Sequence, residues 1–184
     1  ETMKTLSEFR QKYDLWLNAS TGSLPVRVVM RKTFDFDVYL PSYGHNLQRG
    51  YVWNLKQKQE LIMSILIGRK IQAASIVVNN EFTDNEVSDV IDGKQRLSTI
   101  LLFIHDGFKI DIDGSELYFS GLPLEYKNKI LSFSVEFNMI YSNFLSNGKM
   151  TDDQKIEWFK FLNFSGTEQD KKHLNLFDKQ NKQI

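Results

Sequence analysis

Apolar side chains between residues 4 and 18 fall at Leu6, Phe9, Tyr13, Trp16 and Leu17, a helical spacing that predicts an amphipathic helix. Val26 to Met30 is a short β-branched run and predicts a strand. Asp35 to Tyr43 carries no clear period, and Pro41-Ser42-Tyr43-Gly44 reads as a turn. Lys56 to Ile67 places Leu61, Ile62, Ile65 and Leu66 on one side of a second helix, with Gly68 as its stop. Ala74 to Val78 and Val87 to Ile91 predict two strands, separated by the turn formers Asn79-Asn80-Glu81 and Thr83-Asp84-Asn85. From about Lys94 to His105 the helical period returns in Leu97, Ile100, Leu101 and Ile104, ending near Gly107.

Beyond that helix the pattern becomes a meander. Lys109 to Ile112 and Leu117 to Phe119 predict short strands, and Leu124 to Ile130 a short helix. Phe133, Val135, Phe137 and Met139 alternate strictly, the mark of a half-buried strand. Thr151 and Gln154 form a capping-box pattern ahead of Ile156, Phe159 and Leu162. A last helix is expected over residues 168–179, with Leu174 and Phe177 apolar. The sum predicts an α+β domain with a small mixed sheet and a helical C-terminal segment.

Composition narrows the function classes. The chain has 184 residues, enough for one domain with a sizeable core. Its 23 basic residues balance 23 acidic ones, against a nucleic-acid binder held by bulk charge. It has no cysteine, which excludes disulfides, thiol nucleophiles and thiolate metal sites and fits a cytoplasmic location. The longest apolar run, Ile100 to Ile104, is far short of the roughly 20 residues of a membrane span. Glu1-Thr2-Met3-Lys4 has no signal-peptide core, and Met3 reads as the natural start.

The stretch richest in chemistry is Val90-Ile91-Asp92-Gly93-Lys94-Gln95-Arg96-Leu97-Ser98-Thr99. A strand feeds a Gly turn, and the turn feeds a helix whose first amides and dipole favour an anion. Lys94 and Arg96 add charge there, Arg96 with a fork that fits phosphate oxygens. Asp92 can orient a water, a sugar hydroxyl or a metal ion. The blander alternative, which the spacing alone favours, makes Asp92 a helix cap and Lys94 and Arg96 solvated charges. A second segment, Leu47-Gln48-Arg49-Gly50-Tyr51-Val52-Trp53, sets an Arg beside aromatics at a helix entrance. Arg49, Tyr51 and Trp53 suit phosphate binding and base stacking, although core packing is the simpler role for Trp53.

Together these segments resemble the N-terminal domain of the GmrSD-type, modification-dependent restriction endonucleases. Gln48, Arg49, Tyr51 and Trp53 match a first motif of the form Gln-Arg-x-Tyr-x-Trp, and Val90 to Thr99 match Val-Ile-Asp-Gly-Gln-Gln-Arg-Leu-Thr/Ser-Thr. Lys94 stands where that family usually has Gln. The likeness covers residues 35 to 105 well and is weaker beyond. There Phe159, Leu162, Asn163 and Gly166 correspond to a later Phe-x-Arg-Leu-Asn motif in which Phe161 replaces the Arg. The resemblance implies a ParB/sulfiredoxin-like fold over 1–184, with a motif-bearing core at about 26–110 and a weaker part at 111–184. It further implies binding of a nucleoside triphosphate with Mg²⁺, and in some members hydrolysis, coupled to DNA cleavage or to control of a partner nuclease. On that basis Gln48, Arg49, Tyr51, Trp53, Gly93, Lys94 and Gln95 would bind the nucleotide. Asp92 and Arg96 would be catalytic, and Asp92 would hold the metal.

Other features carry less. His45, His105 and His173 are too scattered for a zinc motif. Glu81, Asp84, Glu86 and Asp89 read as a solvated face. Residues 44 to 72 hold Arg49, Lys56, Lys58, Arg69 and Lys70 against Glu60, a local basic excess that suits a polyanion such as DNA. Phe133, Phe137, Trp158 and Phe161 read as core or interface. Three functions compete: a nucleotide-driven domain in restriction of foreign DNA or its control; a non-enzymatic regulator, decoy or antagonist of a defence system that binds protein or DNA; and a nuclease using Asp92 with Glu86 or Asp89, which ranks last. Expected partners are a nucleotide, a partner nuclease or defence protein, and DNA; an open sheet edge leaves room for a homodimer.

Overall fold

The structure, a computed structural model, describes residues 3–11 and 13–163. Two short helices, α1 (Leu6–Gln11) and α2 (Asp14–Leu17), precede strand β1 (Ser20–Pro25) and helix α3 (Val26–Val29). Three two-residue strands follow: β2 (Phe34–Asp35), β3 (Tyr39–Leu40) and β4 (His45–Asn46). Helix α4 (Leu55–Leu66) leads to β5 (Ala74–Asn79), β6 (Val87–Asp92) and α5 (Lys94–Ile104). Then come β7 (Ile110–Ile112), β8 (Ser115–Leu117), α6 (Leu124–Ser132), β9 (Ser134–Tyr141) and α7 (Asp152–Leu162).

A five-stranded sheet in the order β1-β9-β5-β6-β2 organises the fold. Its pairings alternate: β1/β9 and β5/β6 run antiparallel, β9/β5 and β6/β2 parallel. The class is therefore α+β with a mixed sheet, as expected. Ala74 through Val78 are all buried, so β5 is covered on both faces. Side-chain alternation sorts the two covers. Ile76, Val90, Val135 and Phe137 meet Val29, Ile62, Ile65, Ile100, Phe103 and Ile130 from α3, α4, α5 and α6. Val77, Ile91 and Ile140 meet Trp16, Leu40, Leu47, Trp158 and Phe159 on the opposite side. There the rings of Trp16 and Trp158 stack with centroids 6.0 Å apart.

Several expectations are corrected. The strand predicted at Val26 to Met30 is helix α3. Val26 and Val29, three residues apart, both drop to 0% exposure in the core, and that burial overrides β propensity. The strand lies one step earlier, at Ser20–Pro25, and its polar sequence reflects an edge position open to solvent. The helix predicted over 4–18 is two pieces. Trp16 is buried, but Leu6 and Phe9 stay largely exposed, so the apolar stripe is only partly used. The strand expected at Leu117 to Phe119 ends at Leu117, and a 3₁₀ turn takes Phe119–Gly121. The helix expected over 168–179 lies outside the described residues, as do Gly166 and His173.

Gly68 ends α4 as expected: at φ +77° its amide bonds Ile65 and the Arg69 amide reaches back to Ser64, a Schellman closure. The Thr151–Gln154 capping box is present at α7, and Asn54–Gln57 forms another at α4. Among the described residues, no helix is long and apolar enough to cross a membrane.

Candidate functional site

The site is built where β6 turns into α5. Gly93 occupies the N-cap of α5 at φ +100°, a left-handed conformation that residues with a Cβ resist. Space imposes the same choice, because a Cβ there would lie 2.8 Å from the Cβ of Ala74. No side chain caps this helix start. Asp92 is thus not the cap that its position suggested. Its Oδ2 instead accepts from Arg96 Nη2 at 3.1 Å, one helical turn on.

Arg96 is largely buried. Nη2 also donates to the Ala73 carbonyl at 3.0 Å and Nη1 to Gln72 Oε1 at 3.3 Å. Its Nε is buried with no hydrogen-bond partner, an unsatisfied donor on a charged group. Lys94 is not the solvated charge of the blander alternative. It is 4% exposed, and its ammonium is bound by the carboxylate of Asp37. The charge that Lys94 brings to this turn is therefore already balanced.

The first motif is stitched to the second along its length. Gln48 Nε2 donates to the Val90 carbonyl at 2.6 Å. Gln95 Oε1 accepts from the amides of Val52 at 3.0 Å and Trp53 at 3.3 Å, while its Nε2 donates to the Gly50 carbonyl at 3.2 Å. Thr99 Oγ1 donates to the Gln95 carbonyl at 2.7 Å, which leaves its lone pairs for the Tyr51 hydroxyl, also at 2.7 Å. Burial pushes the Tyr51 phenol up from its ordinary pKa. Lys58 Nζ lies 5.1 Å from the centre of the Tyr51 ring. Trp53 packs against the core, as its simpler role required, and borders a groove of about 700 Å³ along α4 with Lys56, Gln57 and Arg69. Arg49 is exposed, between the anchored Gln48 and Gly50.

Asp37, Gln72 and the backbone of Ala73, which hold Lys94 and Arg96, carry no local mark in the sequence. Thr99, inside the second motif, gains its role only through the Tyr51 hydroxyl.

The remaining carboxylates lie elsewhere. Asp89 is 8% exposed and binds Lys155 of α7 at 2.9 Å, and Glu86 binds Lys32 at 3.0 Å. The acidic run is therefore not a uniform solvated face. The Lys32 hydrogen bond holds the Glu86 carboxyl below its ordinary pKa. Among the described residues, no group of three or more His, Asp or Glu side chains converges as a metal site. Asp92 alone would give Mg²⁺ one carboxylate, so most of the coordination would have to come from a ligand's phosphates and water.

The family model for the N-terminal domain of GmrSD restriction endonucleases matches residues 33–184. The chain belongs to the GmrSD N-terminal domain family. The match runs from just before β2 through the stitched motifs and on past α7, well beyond the span in which the motifs themselves were legible. Comparison with curated proteins and with solved structures gave no match. In this GmrSD-type domain the later motif carries Phe161, whose ring meets that of Tyr13 at 5.7 Å, so that position serves packing.

Proposed function

We propose that this GmrSD-type domain binds a nucleoside triphosphate at the start of α5 and uses it in the restriction of foreign DNA or its control. The observation that carries this reading is the joining of the two motifs into one hydrogen-bonded unit around a helix start that no side chain caps. Backbone amides and the helix dipole there favour phosphate oxygens. Arg96 and Arg49 supply the guanidinium groups that grip them. Asp92 would hold the Mg²⁺ that accompanies the phosphates, or the water that attacks them, with Arg96 exchanging Asp92 for phosphate. In hydrolysis that water attacks the γ-phosphorus, the β–γ bridging bond breaks, and the diphosphate leaves. The basic residues of 49–70 offer DNA a neighbouring surface.

Titration of the protein with the four common ribonucleoside triphosphates and Mg²⁺ tests the reading. Binding of at least one is expected, weakened by about tenfold or more in Arg96→Ala through loss of a charge-assisted bond. No binding, or equal binding by the variant, removes it. A second reading, nucleotide binding without turnover, draws on Phe161 in place of the family's Arg and on the Asp37-bound Lys94. Measurement of released phosphate separates the two.

A further inference from the structure

We infer that Gln95 is a positioning residue, whose carboxamide fixes the Arg49-bearing loop at the start of α5 without touching the triphosphate. Residues 49–54 form neither helix nor strand, so their backbone groups must find partners outside any ladder. Gln95 serves three of those groups with one planar amide, accepting from Val52 and Trp53 and donating to Gly50. Both ends of the carboxamide are thereby committed, and little remains for a ligand. Gln48, bound to Val90, and Tyr51, bound to Thr99, fasten the loop on either side. Arg49 sits between Gln48 and Gly50, on backbone that is held before any ligand arrives. Ordering in advance lowers the cost of bringing a long side chain onto an anion.

The chemistry also accounts for glutamine at this place. Glutamate would keep the acceptor for the two amides, but it would set a second acceptor against the Gly50 carbonyl. An aliphatic side chain would leave all three backbone groups without this partner. What the loop is held for rests on the triphosphate reading; the latch itself does not.

The experiment uses the full chain in four forms: unaltered, Gln95→Ala, Arg49→Ala and the double variant. Amide hydrogen exchange without nucleotide is read first. In Gln95→Ala, exchange at Val52 and Trp53 should rise by about tenfold or more while β5 and β6 stay protected, as in local opening. Affinity for the best-binding of the four ribonucleoside triphosphates, with Mg²⁺, should then fall about tenfold in Gln95→Ala, yet change less than about twofold when the same substitution is made on Arg49→Ala. Unchanged exchange overturns the latch. Equal loss of affinity in both backgrounds overturns the positioning role, since Gln95 would then act on the ligand directly. An unaltered chain that binds no triphosphate overturns the purpose assigned to the loop, while faster exchange would still uphold the latch. Gln95→Glu provides a second variant should alanine unfold the chain. Its carboxylate can still accept from both amides, so Val52 and Trp53 should stay protected, and loss of protection at both would count against the assignment.

Discussion

The starts of α5 and α7 approach the same sheet and are finished in opposite ways. At α7, Thr151 and Gln154 close the first turn by mutual hydrogen bonds, and Asp152 and Asp153 supply negative charge. Those two carboxylates are themselves used, by the Ser42 amide at 2.8 Å and by the Tyr43 hydroxyl. At α5 the cap is a glycine without a side chain, and the nearby charges, Lys94 and Arg96, are paired with Asp37 and Asp92. A helix start that brings its own cap and anions is complete. One that no side chain caps keeps the positive end of its dipole open to an anion from outside. The contrast separates a terminus closed by its own side chains from one that is not, within one chain.

Substitutions can break or sharpen this contrast. The largest effect is expected at the turn before α5. Gly93→Ala must place a Cβ 2.8 Å from Ala74 Cβ and hold φ at +100°. A loss of about 3 kcal/mol is expected from strain and overpacking together, read by urea denaturation. A loss of only a few tenths would show that the turn relaxes freely. Next comes the buried ion pair that ties α7 to β6. Lys155→Ala leaves Asp89 without the partner it holds at 2.9 Å, and a loss of about 2–3 kcal/mol is expected for these mostly buried groups. Replacing both residues by alanine should recover a good part of that loss.

Thr151→Ala should cost about 1 kcal/mol, the usual value of an N-cap, with triphosphate binding unaltered. A change in binding would mean that the two helix starts are coupled. The smallest effect belongs to Tyr43, whose phenol is pushed up to about 12 by its hydrogen bond to Asp153. Because the folded value lies above the ordinary 10, the contribution is complete below that value and is lost as pH rises toward 12. Tyr43→Phe should therefore lower stability slightly at neutral pH and remove this alkaline component, as seen in thermal unfolding from pH 9 upward.

Legibility in the sequence followed burial. Helices α4 and α5 and strands β5 and β6 are readable because each presents a clean apolar pattern to the core; the first motif leads into α4 and the second joins β6 to α5. Strand β1 was missed because an edge strand of Ser, Thr and Gly buries little, and α3 was mistaken because two buried valines outweigh β propensity. At the site, the identities of Gln48, Arg49, Tyr51, Asp92, Gln95 and Arg96 were legible, but their partners were not. Asp37 reaches Lys94 across 57 residues of chain, and the Gln95 bonds span 42 to 45. No local pattern encodes such pairings; only the folded register of β6 against its neighbours creates them.

The contact between Gly93 and Ala74 extends the glycine turn's requirement to a second strand. Position 74 has no part in either motif, yet a side chain larger than alanine there would crowd the same turn from the other side. Anyone re-engineering the turn into α5 must therefore treat the first residue of β5 as part of it, since the two positions share one small volume and neither can grow alone.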